Sequence, residues 1–522
     1  MFHTGRPVTM ERASVAQYRP ARNSAISMDA PRRAQRQRDG STVTESGHSP
    51  AEPSDDLHVG PTRRPESSFR FRGPNCRFVR RSLAAPLFVG AVLALSLTAL
   101  APVAASSTRH ANTGSAGPGS RLPPLVQRTG KPPTGYQVTF RYWAPIATSV
   151  RIEGEWYFSS PARTTMASSQ GLLPSQWRPG DFPITYPNST ARNWPVAAMA
   201  EDHRTGVWYY TAPLPSGVFT YGFYIDCPDP SGQSCTEVSD PSNPPWNTRH
   251  GVALGSVEAS SQVYVSSDPA FGTVDYWWQG PARTRGKLVD LSYPSSPAKE
   301  AAGANRLAVY TPPGYDPRRS TLYPTLYLIH GGPGNEVDWS TRGDAANILD
   351  NLVGTAQVKP MVVVMTNFNG FAYGCGEPGW ALDYDQDLID NVIPYVQAHY
   401  HVSREASQRA FAGLSCGGYL ASSLLFGHPR QFGYYAVMSP IAFSATVSPA
   451  QVTALRRVGI LVGGGRQDPI FAYAAAELAD LESQGIRPIS DLVNGGHEWY
   501  VWRILLRDFL TRVAFSPVAA HS

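Results

Sequence analysis

The sequence predicts an α/β protein, a mainly parallel sheet covered by helices, with a small all-β sandwich in front of it. Three observations carry this. From Gly135 the chain runs in short period-two stretches separated by turn residues, with no helical pattern between them. Beyond Gly286 short apolar runs alternate with helical stretches, which implies parallel strands buried on both faces. The chain has 522 residues, of which 42% are hydrophobic, so it exceeds one typical domain and has enough apolar material for two cores.

The elements follow in order. Residues 1–82 hold 15 arginines, no lysine and 8 acidic residues, lack hydrophobic periodicity, and read as a disordered leader. Leu83 to Ala105 is an uncharged apolar run of 23 residues just after Arg77, Arg80 and Arg81, and it ends in the small residues Val103-Ala-Ala105. That pattern describes an export signal; it is also long enough to span a bilayer with the basic side in the cytoplasm. A secreted protein and an extracytoplasmic, membrane-anchored one are both open, and Met28 is an alternative start. Residues 106–134 read as a flexible linker and 135–265 as the sandwich, with strands at Tyr136–Tyr142, Ser149–Gly154, Gly206–Thr211 and Gly217–Ile225. Residues 266–285 form a connector, and 286–516 the α/β domain. Its candidate strands are Leu307–Thr311, Thr325–Ile329, Met361–Met365, Ala410–Ala412, Val458–Val462 and Ile489–Val493; its candidate helices are Trp380–Tyr400 and Gly418–Phe426.

Net charge narrows the partners. The formal value of +5 comes from the leader, whose balance is +7; the remaining 30 basic and 32 acidic residues give −2. The folded part therefore lacks the basic footprint of a nucleic-acid binder. Membrane contact is expected only through Leu83–Ala105, and oligomeric state is left open. Five cysteines suit an oxidising destination. Cys227 and Cys235 flank a turn-rich loop that can close as a disulfide, which leaves Cys375 and Cys416 as the other possible pair. No Cys/His cluster has metal-site spacing, so no metal and no cofactor are expected. Asn188-Ser-Thr is a glycosylation sequon.

The sharpest chemical signal is Gly413-Leu-Ser415-Cys-Gly417-Gly418. It follows the apolar Arg409-Ala-Phe-Ala and precedes a helical stretch, the strand–turn–helix setting of a nucleophile elbow. Serine needs a base to take its proton, and the base needs a carboxylate to orient it. In an α/β-hydrolase these come later in the chain, each on a loop after a strand. Asp468 follows Gly459–Gly465, and His497 sits in Asn494-Gly-Gly-His497 after Ile489–Val493. Asp491 is the rival acid but falls inside a strand, while His399, His401 and His428 lie in helical or helix-end contexts. His330-Gly331-Gly332-Pro333-Gly334 ends another strand. Its glycines, with the backbone of Cys416, are placed to bind a developing oxyanion, and His330 itself reads as structural. Trp339, Trp380 and Trp499, with Trp502, lie near these loops and are candidates for an aromatic wall around an aryl or sugar substrate.

Val309-Tyr-Thr-Pro-Pro-Gly-Tyr315, Leu326–Gly332, Ala412–Gly418 and His497-Glu-Trp-Tyr-Val-Trp502 together resemble the esterase D group of α/β-hydrolases, which includes feruloyl and enterochelin esterases and mycolyltransferases. The likeness covers roughly Gly286 to Ser516 and implies Ser415 as nucleophile, Asp468 as acid and His497 as base. Cys416 stands where many relatives have Met, a position that uses only its backbone. Phe140–Pro145, Pro215–Tyr221 and Asp240–Pro244 resemble, more weakly, the early-set immunoglobulin-like domain that precedes such esterases. Together with the export signal and the aromatic residues, the resemblance leads to the expectation of an exported serine esterase working through an acyl-enzyme on a small-molecule or polysaccharide ester, feruloyl or acetyl groups foremost. A siderophore ester and acyl transfer to an envelope sugar are the alternatives. A non-catalytic carbohydrate-binding protein is the reading of a different class, and the complete Ser, Asp, His and Gly-Gly set argues against it.

Overall fold

The computed structural model describes residues 122–516 apart from 163–170, 185–193, 233, 244–260, 296–302, 372–373, 378 and 444–446. The leader, the Leu83–Ala105 run, the start of the linker and the Asn188 sequon lie outside the described residues.

The all-β part consists of two antiparallel four-stranded sheets. One has the order β1-β2-β8-β7, from Leu125–Arg128, Tyr136–Trp143, Val207–Ala212 and Ala200–Asp202; the other has the order β10-β9-β3-β6, from Ser261–Val265, Gly217–Ile225, Val150–Gly154 and Val196–Ala198. A two-residue ladder, β4 (Phe158–Ser159) with β5 (Phe182–Pro183), completes it. Alternation explains the core. Val138 and Phe140 of β2 and Ile152 of β3 turn inward onto Trp156, Tyr221 and Phe223, and the Phe140 and Trp156 rings lie 5.1 Å apart. The linker expectation is corrected at its end. Leu125–Arg128 pairs with β2, and Arg128 is held by the buried Asp268 at 3.0 Å. The run is four residues long, too short for a period-two signal.

The second part is an eight-stranded sheet of order β11-β12-β14-β13-β15-β16-β17-β18. Its strands are Lys287–Pro294, Ala304–Thr311, Thr325–Ile329 (β13), Val362–Thr366 (β14), Arg409–Leu414, Tyr434–Met438, Gly459–Gly465 and Ile489–Val493. β12 runs antiparallel to β11 and to β14, while every pair from β14 through β18 is parallel. This is a mixed, mainly parallel sheet. Its central strands are buried along their whole length, as strands covered on both faces must be.

Helices α1 (Ala345–Gly354) and α7 (Trp499–Arg512) contribute to the core on one face of the sheet, with Leu326, Val363, Ala410 and Leu461. Helices α2 (Trp380–Asp387), α3 (Ile393–His399), α4 (Cys416–Gly427) and α6 (Phe471–Ser483) contribute to the core on the other, with Tyr327, Val364 and Phe411. Helix α5 (Pro449–Leu455) joins that second core through Leu455. The single helix expected over Trp380–Tyr400 is interrupted by a π-helical turn at Leu388–Val392. Pro394 supplies the reason, because it has no N–H to donate to Asp390, so the ladder must widen or break there.

Candidate active site

Ser415 stands between β15 and α4 with φ 56° and ψ −116°, a conformation that costs a non-glycine residue energy. The close approach of backbone on both sides requires the flanking glycines. A Cβ on Gly413 would run into the Gly417 carbonyl, and one on Gly417 would run into the His330 carbonyl. Ser415 N–H donates to Met438 O on the neighbouring strand (2.9 Å), and its carbonyl accepts from Tyr419 N–H (3.0 Å) as α4 begins.

The loop after β18 brings His497 to this serine. Nε2 lies 3.0 Å from Ser415 Oγ, and Nδ1 lies 2.8 Å from Asp468 Oδ2. A carboxylate only accepts, so Nδ1 carries the proton and Nε2 is left to accept from the hydroxyl. Asp468 is buried; its other oxygen accepts from Ile470 N–H at 2.8 Å, which fixes the carboxylate plane. The His497 side chain keeps 20% exposure against 1% for Asp468, so the imidazole alone of the two faces the solvent side. Chemically, such a chain can draw a proton from the serine and hold the resulting imidazolium.

The two loops are tied to each other. Gln467 N–H donates to Gly495 O (3.0 Å) and Gly495 N–H donates to Gln467 Oε1 (2.8 Å), while within the His497 loop Gly496 N–H donates to Glu498 Oε1 (2.7 Å). Trp502 lays its ring edge-on to the imidazole at 4.9 Å and donates its indole N–H to Ser439 Oγ at 3.2 Å. Sequence reasoning missed Gln467 and Glu498. Their carboxamide and carboxylate act on backbone groups, and a lone Gln or Glu carries no motif that would mark them.

Gly331 and Gly332 lie against the elbow. A Cβ on Gly331 would stand 3.0 Å from Ser415 Cβ, and one on Gly332 would stand 3.2 Å from Cys416 Sγ. Cys416 opens α4, and its N–H is among those that no residue of the helix can accept. His330 is buried. Its Nδ1–H donates to Gly331 O at 2.8 Å, its ring stacks on Phe368 at 4.0 Å, and burial lowers its pKa to about 4. A neutral ring so pinned shapes the loop and does not reach the serine hydroxyl.

The rival residues lie elsewhere. Asp491 pairs with Arg512 at 3.4 Å, and its pKa is raised to about 6, by burial first and then by the charge of Asp508. His399 bonds Tyr395 O and His401 bonds Arg319 O, both at their own ends of the molecule's helices and loops. His428 lies beyond the far end of α4, where it helps line a cavity of about 310 Å³ with Arg430 and Gln451. Twelve residues of helix, roughly 18 Å, separate that cavity from Ser415.

The aromatic wall expected of Trp339, Trp380 and Trp499 is corrected: all three are buried. Trp339 donates to Ile329 O at 2.9 Å and meets Trp499 edge-on at 5.2 Å, and Trp380 meets Phe368 edge-on at 5.2 Å. Rings this large gain more from core packing than from lining an open cleft, and nearness in sequence to a catalytic loop does not decide which way they face. Cys227 is joined to Cys235 and Cys375 to Cys416 by disulfides, so the second bridge anchors the segment after β14 to the residue beside Ser415. Among the described residues, no group of three or more His, Cys, Asp and Glu side chains is placed to hold a metal ion.

Residues 300–513 match the family model described as a putative esterase. The chain is 32% identical over 214 residues to an endo-1,4-β-xylanase/feruloyl esterase of Xylanibacter ruminicola, covering 39% of this chain and 28% of that one. It is 35% identical over 127 residues to endo-1,4-β-xylanase Y of Acetivibrio thermocellus, covering 22% of this chain and 11% of the relative. The chain thus spans less than a third of either curated relative. Among solved structures it is similar to the enterobactin esterase of Shigella flexneri, with TM-score 0.45 and 16% identity, over 74% of this chain and 95% of that one.

Proposed function

We propose that the protein is a serine carboxylic-ester hydrolase that works through an acyl-enzyme. The observation that carries this is the unbroken chain from Asp468 through His497 to Ser415, 2.8 and 3.0 Å, ending at a strained elbow. In this reading Ser415 Oγ attacks the ester carbonyl while His497 Nε2 takes its proton, and Asp468 holds the imidazole in the productive tautomer. The oxyanion is met by the Cys416 N–H and an N–H of the Gly331-Gly332 turn. His497 then protonates the leaving alcohol, and water enters by the reverse path to release the acid. The match of residues 300–513 to the esterase model supports the reaction class.

For the substrate we propose feruloyl or acetyl esters of a polysaccharide, supported by the likeness to a xylanase that also bears the feruloyl esterase name. We take the protein to act outside the cytoplasm, supported by the apolar Leu83–Ala105 run and by two disulfides, which persist in oxidising compartments. The two-sheet part we read as immunoglobulin-like.

The test is hydrolysis of methyl ferulate and 4-nitrophenyl acetate by the wild type and by Ser415→Ala. The variant should lose at least about 10³-fold in kcat for both esters. Equal rates would remove the serine-esterase reading. If only the small activated ester is cleaved, the feruloyl assignment falls and the reaction class stands.

A further inference from the structure

Helix α7 begins two residues after His497, and two different parts of the chain hold it. Leu505, Leu506 and Phe509 pack into the core of the eight-stranded sheet. Tyr500, Arg503 and Arg507, spaced three and four apart, form another stripe of the same helix. Tyr500 Oη lies 2.8 Å from Tyr276 Oη of the connector, and the Arg507 guanidinium sits 5.0 Å above the Trp278 ring. Arg503 is the centre of the grip and is 1% exposed. Its guanidinium donates to Glu155 Oε2 (3.1 Å) and to Val218 O (3.0 Å), both in the β-sandwich, and to Arg342 O (2.8 Å). Glu155, itself buried, also accepts from the Thr220 amide (3.3 Å) and hydroxyl (3.2 Å). A buried guanidinium this fully bonded fixes position as well as charge, because its fork is planar and rigid.

We infer that Glu155 and Arg503 are positioning residues for His497, and that the β-sandwich is an obligate half of the catalytic unit instead of a detachable module. The route is short. Trp502, beside Arg503 on α7, supports the imidazole ring at 4.9 Å and bonds Ser439 of the strand end next to the elbow. Glu498, whose carboxylate accepts from the Gly496 amide, stands at the N-cap position of the same helix without a side-chain bond to it. A turn or slide of α7 therefore moves Trp502 and the His497 loop together, while Ser415 stays with β15. The sandwich side of α7 carries the bonds that oppose such a shift.

The inference rests on the serine-esterase reading, and its test separates the two. Glu155→Gln and Tyr276→Phe are made in the full-length protein, and 4-nitrophenyl acetate is the substrate. Glu155→Gln should lower kcat about tenfold or more with KM within twofold, since small misplacements of a catalytic group act on rate. Tyr276→Phe should give a smaller fall of the same kind. In both, the low-field proton resonance of the His497 Nδ1–H bonded to Asp468 should broaden or disappear. Folded variants with wild-type kcat and an unchanged resonance would overturn the inference. If Glu155→Gln does not fold, Tyr276→Phe, which removes one hydroxyl, decides by the same two readouts. If the wild type cleaves no ester, the esterase reading fails, and the resonance alone decides whether the sandwich positions His497.

Discussion

At the scale of single residues, Ser415 shows what its chemistry costs. Its φ of 56° with ψ of −116° is a backbone state that a Cβ disfavours by roughly 1–3 kcal/mol, held by bonds to Met438 and Tyr419. Removing the hydroxyl and removing the Cβ should therefore part company. Ser415→Ala and Ser415→Gly should both be inactive, but the glycine variant should be the more stable by about 1 kcal/mol, measured by chemical denaturation. Equal stability would mean that the elbow carries no strain. That Ser415, Asp468 and His497 meet was legible because each stands after an apolar strand, in the order the proposed chemistry requires. The tryptophans were not, because burial is decided by which side of a loop or helix faces the core. Trp339 and Trp499 pack on each other from segments 160 positions apart, a relation that no local pattern encodes.

At the scale of elements, α4 joins Ser415 to the rest of the second core, and two buried carboxyls grip it. Ser422 donates to Glu477 of α6 at 2.8 Å, and Ser423 donates to Asp385 of α2 at 2.8 Å. Burial pushes both carboxyls up to about 7. The folded state thus binds more protons than the unfolded chain between the usual carboxylate range and pH 7. Stability from these groups is full below that range and is lost as pH rises through about 7. Glu477→Gln and Asp385→Asn should each gain stability relative to wild type at pH 8, by about 1–3 kcal/mol, and little at pH 4. Denaturant titrations at both pH values check this, and an equal effect at the two would contradict it. The strands that were read lie within three residues of their bounds, β9, β13 and β18 among them, because turns bound their apolar runs; β11 and β16 were not read. Helix α7 was not read: nine of its fourteen residues are buried, and its charged stripe, Arg503 and Arg507, faces the sandwich and the connector instead of solvent.

At the scale of the whole molecule, an all-β part and an α/β part are tied together by buried bonds that the sequence reading of a connector does not anticipate. Composition sees a connector at 266–285; the structure places Trp278 of that connector against α7 and α1, and Arg503 against strands far earlier in the chain. Long-range bonds of this kind leave no trace in periodicity, since Glu155 and Arg503 are 348 residues apart. The proposed function nevertheless converges on one oxygen atom, and labelling that atom tests the account most directly. A fluorophosphonate is attacked by an activated serine, which forms an O–P bond and expels fluoride. Treatment of the full-length protein should add one phosphonyl group per chain, at Ser415, and abolish ester hydrolysis in proportion to the label. Hydrolysis that persists after Ser415 is fully labelled, or a label lodged on another residue, would contradict the account.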